Sequence, residues 1–523
     1  MFRRLSDLKA RHPLIWQAIL WAIPAILAGL VLRLIFLHYS PYAYWGADSR
    51  SYFGFTDGVL TKFYFSINEK RRYLYPIFLL PITLLPGGTL KALALIQAAL
   101  GLVSLVPLAY AVRRLFVHWR WSVIPLTLAY AGMPLLIWQE HELISDTIFF
   151  DCLIWALAGW IAFASQTQAL RARRLFWWFL APFAIILLTK PSGLFFWPGL
   201  ALGLILVGAY RTLRWPEWTA IALVFLASLT VGDKTQSSWL LYLSSFPLTR
   251  LDTPLHADYK SEIKDLVLAK RALVHRYNEE DDEINRFLRG PGSQTGRPLW
   301  QALEKDKVLM RKVYRDLAIE GITSRPDLFL IMGFQRLLGS CNPGDFSDSR
   351  FKATYFSDRF LETYRDKKIP DSMLRLAFGI PRSAPFPTFE ELKAKISPYP
   401  DSAAATWLRS YAVSYHRAGE ILRNPADPDR SLTESRPTLL GWLIIIGAIL
   451  SLAAPWRKTL GVWVIASAVY LCAVYLVGIQ QTRYFSAIWP ICILLIAVVP
   501  DAIWRGVANF RQKRQSAVAL DRR

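Results

Sequence analysis

Long apolar runs alternate along the chain with short, strongly basic connections. The first run, Leu14 to Leu37, is long enough to cross a hydrocarbon layer about 30 Å thick as a helix. Similar runs cover Leu90 to Val112, Trp121 to Trp138, Leu143 to Ala164, Phe176 to Leu188, Gly193 to Tyr210, Trp218 to Val231, Leu439 to Ala453, Leu460 to Val477 and Ser486 to Val499. The pattern predicts an all-α polytopic membrane protein with about ten transmembrane helices. Arg3, Arg4, Lys9 and Arg11 precede the first run and no small-residue cleavage site follows it, so it is expected to be an uncleaved span.

Charge orients these spans. Arg113, Arg114 and Arg120, then Arg171, Arg173 and Arg174, then Arg211 and Arg214, then Arg457 and Lys458, and finally the tail RQKRQ fall in alternate connections. The positive-inside rule puts those connections and both termini in the cytoplasm. The chain then divides into an N-terminal membrane module (1–231, spans one to seven) whose external loops carry the candidate chemistry, an extracytoplasmic domain (232–437), and a C-terminal module (438–523, spans eight to ten and a basic cytoplasmic tail).

The extracytoplasmic segment is expected to be mostly helical. Ile263, Leu266, Val267, Leu273 and Val274 mark one amphipathic helix, and Leu299, Leu303, Val308, Val313 and Leu317 a second. The run PDLFLIMGFQRLLGS is too short to span and suits the membrane interface. Proline and serine in IPRSAPFPTFEELKAKISPYP predict an irregular loop. The absence of any Asn-x-Ser/Thr sequon favours a bacterial inner membrane with a periplasmic domain over a glycosylating lumen.

Composition agrees with the membrane reading: the 523 residues are 54% hydrophobic and 14% aromatic, with mean hydropathy +0.27. A formal net charge of +22 would suit nucleic acid, but the basic residues cluster at the ends of apolar runs, so membrane lipids and no nucleic acid are the expected partners. Cys152, Cys472 and Cys492 lie in apolar runs and only Cys341 in the polar segment, which argues against a disulfide framework.

The loop after the first span carries an acid, Asp48 in WGADSRSY, followed by aromatics and the basic pair Arg71 and Arg72. One short external loop thus offers a carboxylate and anion-binding groups, which points to an enzyme acting on a phosphorylated, membrane-bound substrate. Aromatics Tyr42, Tyr44 and Trp45 could stack on a sugar or simply anchor the loop in the interface. In the next external loop, His141 with Glu140 and Glu142 offers divalent-metal ligands without a recognised spacing, so capping and solvation are the competing reading. Arg33 is expected to snorkel outward, and Asp151 to face the bundle as a structural hydrogen-bonding group.

The order of these parts resembles the GT-C superfamily of polyprenyl-phosphate-dependent glycosyltransferases, a group that includes protein O-mannosyltransferases and the lipid A aminoarabinose transferase. Carrying the resemblance are Asp48 in GADSRSY, the aromatic-proline element RRYLYPIFLLP leading through PGGTL, Ser145 and Asp146 in HELISDTIF, the turn Thr189-Lys190-Pro191-Ser192-Gly193, and Arg483 and Tyr484 in QQTRYFSAIWP. Each motif is short, and their order carries the specificity. Ser49 stands where many relatives have a second acid, and the large polar segment lies between spans seven and eight rather than at the C-terminus.

The resemblance implies a GT-C-like fold and an inverting transfer of a sugar from a polyprenyl-phosphate donor to an envelope lipid, glycan or protein. Asp48 would be the base, and Arg71, Arg72, Lys190, Arg483 and Tyr484 would hold the donor phosphate. His141, Glu142 and Asp146 would line the second external loop, with a divalent metal an option and no cofactor certain. Independently, Arg71, Arg72, Lys190 and Arg483 are external-side cations that run against the positive-inside trend, and a lipid phosphate at that level accounts for them. Two other classes share many of these features: a lipid-linked sugar flippase or transporter, for which no internal repeat is evident, and a polymerase or ligase using diphosphate-linked oligosaccharide.

Overall fold

A computed structural model describes residues 13–45, 49–62, 72, 74–116, 118–229, 234–272, 306–340, 369–381, 383–399, 402–423, 436–453, 455–477 and 485–521. Asp48, Arg71, Arg483 and Tyr484 lie outside the described residues, as do Leu273, Val274, Leu299, Leu303 and Cys341.

All ten apolar runs form helices, but among the described residues fewer than ten helices are long enough to cross a membrane. Six qualify by length and hydropathy: Pro13–Tyr39, Thr89–Leu115, Asp146–Ala164, Ala169–Thr189, Arg457–Leu476 and Trp489–Lys513. The third run divides into Arg120–Ala131 and Pro134–Glu140, bent by 52°, and makes a seventh if the pair is one span. Pro134 sits at the first position of the second piece, where its missing N–H costs nothing, and Gly132 ends the first piece. Pro191–Leu206, Trp215–Leu229 and Leu439–Ser451 are shorter apolar helices. Composition marks an apolar run, whereas capping and turn residues inside it set how much of it is helix. The described chain is therefore a mostly helical, membrane-embedded protein, whose strand content is the two-residue antiparallel pair Leu422–Arg423 and Arg436–Pro437.

Helix packing relies on small residues where backbones meet. Gly159 faces the Phe179 backbone, Gly199 the Ala466 backbone and Gly447 the Leu495 carbonyl, each too close for a β-carbon. The basic connections gather at one end of the bundle. There Arg114 donates to the Ser165 carbonyl at 3.5 Å, Trp160 to the Lys458 carbonyl at 3.1 Å, Arg173 pairs with Glu217 at 2.7 Å, and Arg505 stacks over Trp456.

The polar segment contributes to two cores. In its first half, Tyr242, Phe246, Ile263, Val267, Val313 and Leu317 form a cluster that takes in Leu476 at the end of a long span. The two sequence-predicted amphipathic helices are Ala257–Ala272 and Lys307–Ser324, with Ile263, Val267, Val313 and Leu317 buried and Val308 exposed. The run beginning PDLFLIMG is the helix Pro326–Ser340, and its fully buried Arg336 donates to the carbonyls of Tyr475, at 2.9 Å, and Ser244, at 2.6 Å. That guanidinium satisfies carbonyls a helix end would otherwise leave open. Leu330 and Phe334 point away from this contact and are exposed.

Its second half shares a core with the first external loop. Met373, Leu374, Phe378, Leu392 and Leu408 pack with Phe36, Trp45, Phe53, Tyr75 and Leu90. The stretch expected to be irregular contains the helix Phe389–Ile396. A Thr388–Glu391 capping box starts it: the Thr388 hydroxyl accepts from the Glu391 amide and the Glu391 carboxylate accepts from the Thr388 amide.

Candidate active site

The two external loops nearest the N-terminus are stitched together by backbone. Tyr44 and Glu142 form a parallel bridge, in which the Tyr44 amide donates to the His141 carbonyl and the Leu143 amide donates to the Tyr44 carbonyl at 2.9 Å. Side chains extend the seam, with the Ser49 hydroxyl donating to the Leu143 carbonyl at 2.9 Å and the hydroxyls of Tyr52 and Ser145 in hydrogen bond at 3.0 Å. Trp45 and Ser49, the described residues on either side of Asp48, are both buried. Tyr42, Tyr44 and Trp45 pack against Phe378, Trp138 and Phe53 respectively, so these rings serve as core in this structure.

A third segment joins at Asp146. This residue opens the helix Asp146–Ala164, where a carboxylate is favoured by the N-terminal end of the helix dipole. Its carboxylate accepts from the Lys190 ammonium, which also sits 5.5 Å from the centre of the Phe149 ring. Lys190 ends the helix Ala169–Thr189 in an extended conformation, and Pro191 starts a tight turn behind it. The described parts of the motifs at 44–45 and 49–52, 141–146 and 189–193 are thereby brought into one neighbourhood. Lys190 lies there as an ion-paired, mostly buried group rather than as a solvated external cation.

Arg72 occupies a different position. Its guanidinium is 4% exposed and donates from one terminal nitrogen to the Ser228 carbonyl at 2.7 Å, while Nε and the other terminal nitrogen have no partner among the described residues. Burial pulls its pKa below the usual arginine value. A buried cation with donors to spare favours an anionic partner.

Behind the seam lies a buried polar layer. Arg33 does not snorkel: it is 2% exposed, and its Nε and Nη2 contact the two Glu140 oxygens at 2.7 and 2.5 Å. Its remaining nitrogen donates to the carbonyls of Gly29 and Ala131, both at 3.1 Å. Snorkelling requires a free path to the headgroups, and here Glu140 at the end of the bent span supplies a closer counter-charge. Gly101 has no side chain because a β-carbon there would collide with the Glu140 carboxylate.

Gln97 completes the support by donating to the carbonyls of Glu140 and Glu142 at 2.8 and 3.0 Å and accepting from the Tyr75 hydroxyl at 3.2 Å. Asp151 faces the interior and accepts from the Ser104 hydroxyl at 2.8 Å. His141 is fully buried and ends the helix Pro134–Glu140: its amide donates to the Trp138 carbonyl at 2.9 Å and its Nδ1 lies 2.8 Å from the Ile137 carbonyl, a capping role, whereas burial with its ring 4.1 Å from Phe36 leaves no solvation role. Among the described residues no group of three or more His, Cys, Asp or Glu side chains is placed to hold a metal.

Sequence reasoning missed the Arg33–Glu140 pair, Gln97 and the Tyr52–Ser145 contact. An arginine inside the first apolar run was the available signal that a counter-charge lies nearby, because such a charge is not tolerated there alone. Gln97 and Tyr52 carry no comparable signal. Compared with protein-family models, curated proteins and solved structures, the chain matches none.

Proposed function

We propose that the chain is an integral membrane glycosyltransferase of GT-C type. It moves a sugar from a polyprenyl-phosphate donor to an envelope acceptor on the extracytoplasmic face. The observation that supports this reading most is the meeting of three segments far apart in sequence: Ser49 and Tyr52 against Leu143 and Ser145, and Asp146 against Lys190. These segments carry the elements, in order, on which the family resemblance rests.

The chemistry needs few groups. A sugar on polyprenyl phosphate carries its own leaving group, so acid assistance of the kind a glycosidase supplies is unnecessary. Asp48 takes the proton from the acceptor hydroxyl or amine as that atom bonds to the anomeric carbon. The bond from that carbon to the phosphate oxygen breaks with inversion, and the electron pair leaves on the polyprenyl phosphate. Arg72, with two buried donors unpartnered among the described residues, holds the departing phosphate together with Arg71, Arg483 and Tyr484 from the sequence motifs. Lys190 holds Asp146 and so shapes the same region.

Asp48→Asn tests the proposal. Asn keeps the shape of Asp and cannot take up a proton, so release of polyprenyl phosphate by the purified protein with an envelope extract should fall by roughly 100-fold or more. Donor affinity, measured separately, should be unchanged. Turnover near that of the wild type would remove Asp48 from the reaction.

A further inference from the structure

Among the helices Thr89–Leu115, Pro134–Glu140 and Asp146–Ala164 lies a cavity of about 10 Å³, lined in part by Gly101, Tyr130, Gln139, Glu140, Thr147 and Asp151. That volume is close to the minimum for one water-sized occupant. The walls are rich in acceptors. Asp151 Oδ2 and Gln139 Oε1 are buried and without a hydrogen-bond partner among the described residues, on residues 8% and 3% exposed. The second Asp151 oxygen is already engaged by Ser104, and the Thr147 hydroxyl spends its proton on the Gln139 carbonyl at 2.8 Å.

Charge narrows the choice of occupant. Arg33 and Glu140 cancel, and all the Arg33 nitrogens are committed to Glu140, Gly29 and Ala131. Asp151 has no ion-pair partner among the described residues. A carboxylate in a low-dielectric interior is compensated either by taking up a proton or by a bound cation. A divalent ion would want six or more oxygens and further carboxylates, and the second carboxylate on this wall is held by Arg33.

We infer that the cavity bounded by Asp151 and Gln139 is a binding site for one small monovalent cation of the sodium class. Asp151 Oδ2 and Gln139 Oε1 are its two principal ligands, and the hydroxyl oxygens of Thr147 and Tyr130 are on the same wall. Since Gln139 and Glu140 lead directly into the loop that carries Glu142 and Asp146, cation occupancy would fix the end of the bent span and, through it, that loop. The inference is independent of the transfer reaction proposed above.

Thermal unfolding of the purified full chain in detergent, in NaCl, KCl or choline chloride at equal ionic strength and at each of several pH values, tests it. A saturable rise in Tm with Na⁺, weaker with K⁺ and absent with choline, is expected for the wild type, together with ²²Na⁺ binding at one site per chain. Asp151→Asn keeps the Ser104 contact and removes the charge, so Na⁺ affinity should fall at least tenfold while the choline Tm holds. Should that variant not fold, Gln139→Leu serves in its place, losing Na⁺ binding by the same criterion. Asp252→Asn, on the exposed surface, should respond to Na⁺ as the wild type does. The inference is overturned if the wild type shows no Na⁺-specific shift, if its Tm follows pH alone, or if the folded Asp151 or Gln139 variant binds Na⁺ as the wild type does.

Discussion

Gly88 and Gly379 meet backbone to backbone, joining the turn before the helix Thr89–Val103 to the turn after the helix Asp371–Phe378. A β-carbon on Gly379 would lie 2.6 Å from the Gly88 amide nitrogen, and both residues are left-handed, with φ of 89° and 64°. Beside them the Thr89 hydroxyl donates to the Leu376 carbonyl at 3.2 Å. The contact fastens the second half of the polar segment over the first external loop, whose residues share its core.

Substitution there meets two penalties, the strain of a β-carbon at positive φ and the loss of close approach. Gly88→Ala and Gly379→Ala should each destabilise by about 1–3 kcal/mol. The double variant should cost less than the sum, since the first substitution already separates the two turns. Thermal unfolding of the three variants checks this, and strict additivity would show that the two turns act independently.

Arg33 and Glu140 form a buried pair whose worth depends on how it is broken. Removing one partner strands the other, and Arg33→Met alone should cost about 3–5 kcal/mol, whereas Arg33→Met with Glu140→Leu should recover most of that loss. The reading that this pair aligns the second external loop adds a separate expectation: the recovered double variant should remain impaired in turnover. Equal recovery of stability and activity would reduce the pair to a packing feature.

What could be read in the sequence followed from periodicity and charge, which are local. Ile263 and Val267 were placed on a buried helical face because spacing alone sets that face, and the buried Val313 and Leu317 follow the same rule. The span lengths were not legible, because Gly132 and Pro134 break a run whose hydropathy is continuous across them. Nor was the helix Phe389–Ile396, since its proline-rich approach obscured the Thr388-x-x-Glu391 signal that starts it. Arg33 was read outward because its counter-charge lies 107 positions along the chain, a distance over which single-sequence reasoning has no reach. At the candidate site, the motifs identified which segments matter. Their meeting depends on backbone pairing at Tyr44 and Glu142 and on hydroxyl contacts that no motif encodes.

Orientation in the membrane gives a further test. Basic connections lie together at one end of the helices and the Tyr44–Glu142 seam at the other, so a reporter fused after Asp281 should be external and one after Arg457 cytoplasmic. Both reporters on one side would break the charge alternation and move the candidate site to the wrong face for an extracytoplasmic acceptor.

Lys190 and Arg72 separate two ways a cation can serve such a site. Lys190 is paired with Asp146, so Lys190→Ala removes a charge and also takes the ammonium partner from a 1%-exposed carboxylate. Among the described residues Arg72 donates to the Ser228 carbonyl alone, so Arg72→Lys keeps the charge and loses the planar fork that suits a phosphate. If Arg72 holds the donor phosphate, Arg72→Lys should raise the donor KM by roughly 10-fold or more, with stability changed little, because a charge-assisted hydrogen bond contributes about 1.5–3 kcal/mol. Lys190→Ala should lower both stability and turnover, and Lys190→Ala with Asp146→Asn should restore the stability. Persisting low turnover in that restored double variant assigns Lys190 or Asp146 a role in the reaction, whereas full recovery makes the pair a strut. An unchanged donor KM in Arg72→Lys would leave Arg72 as an anchor for the loop on Ser228 and shift the phosphate to the motif containing Arg483.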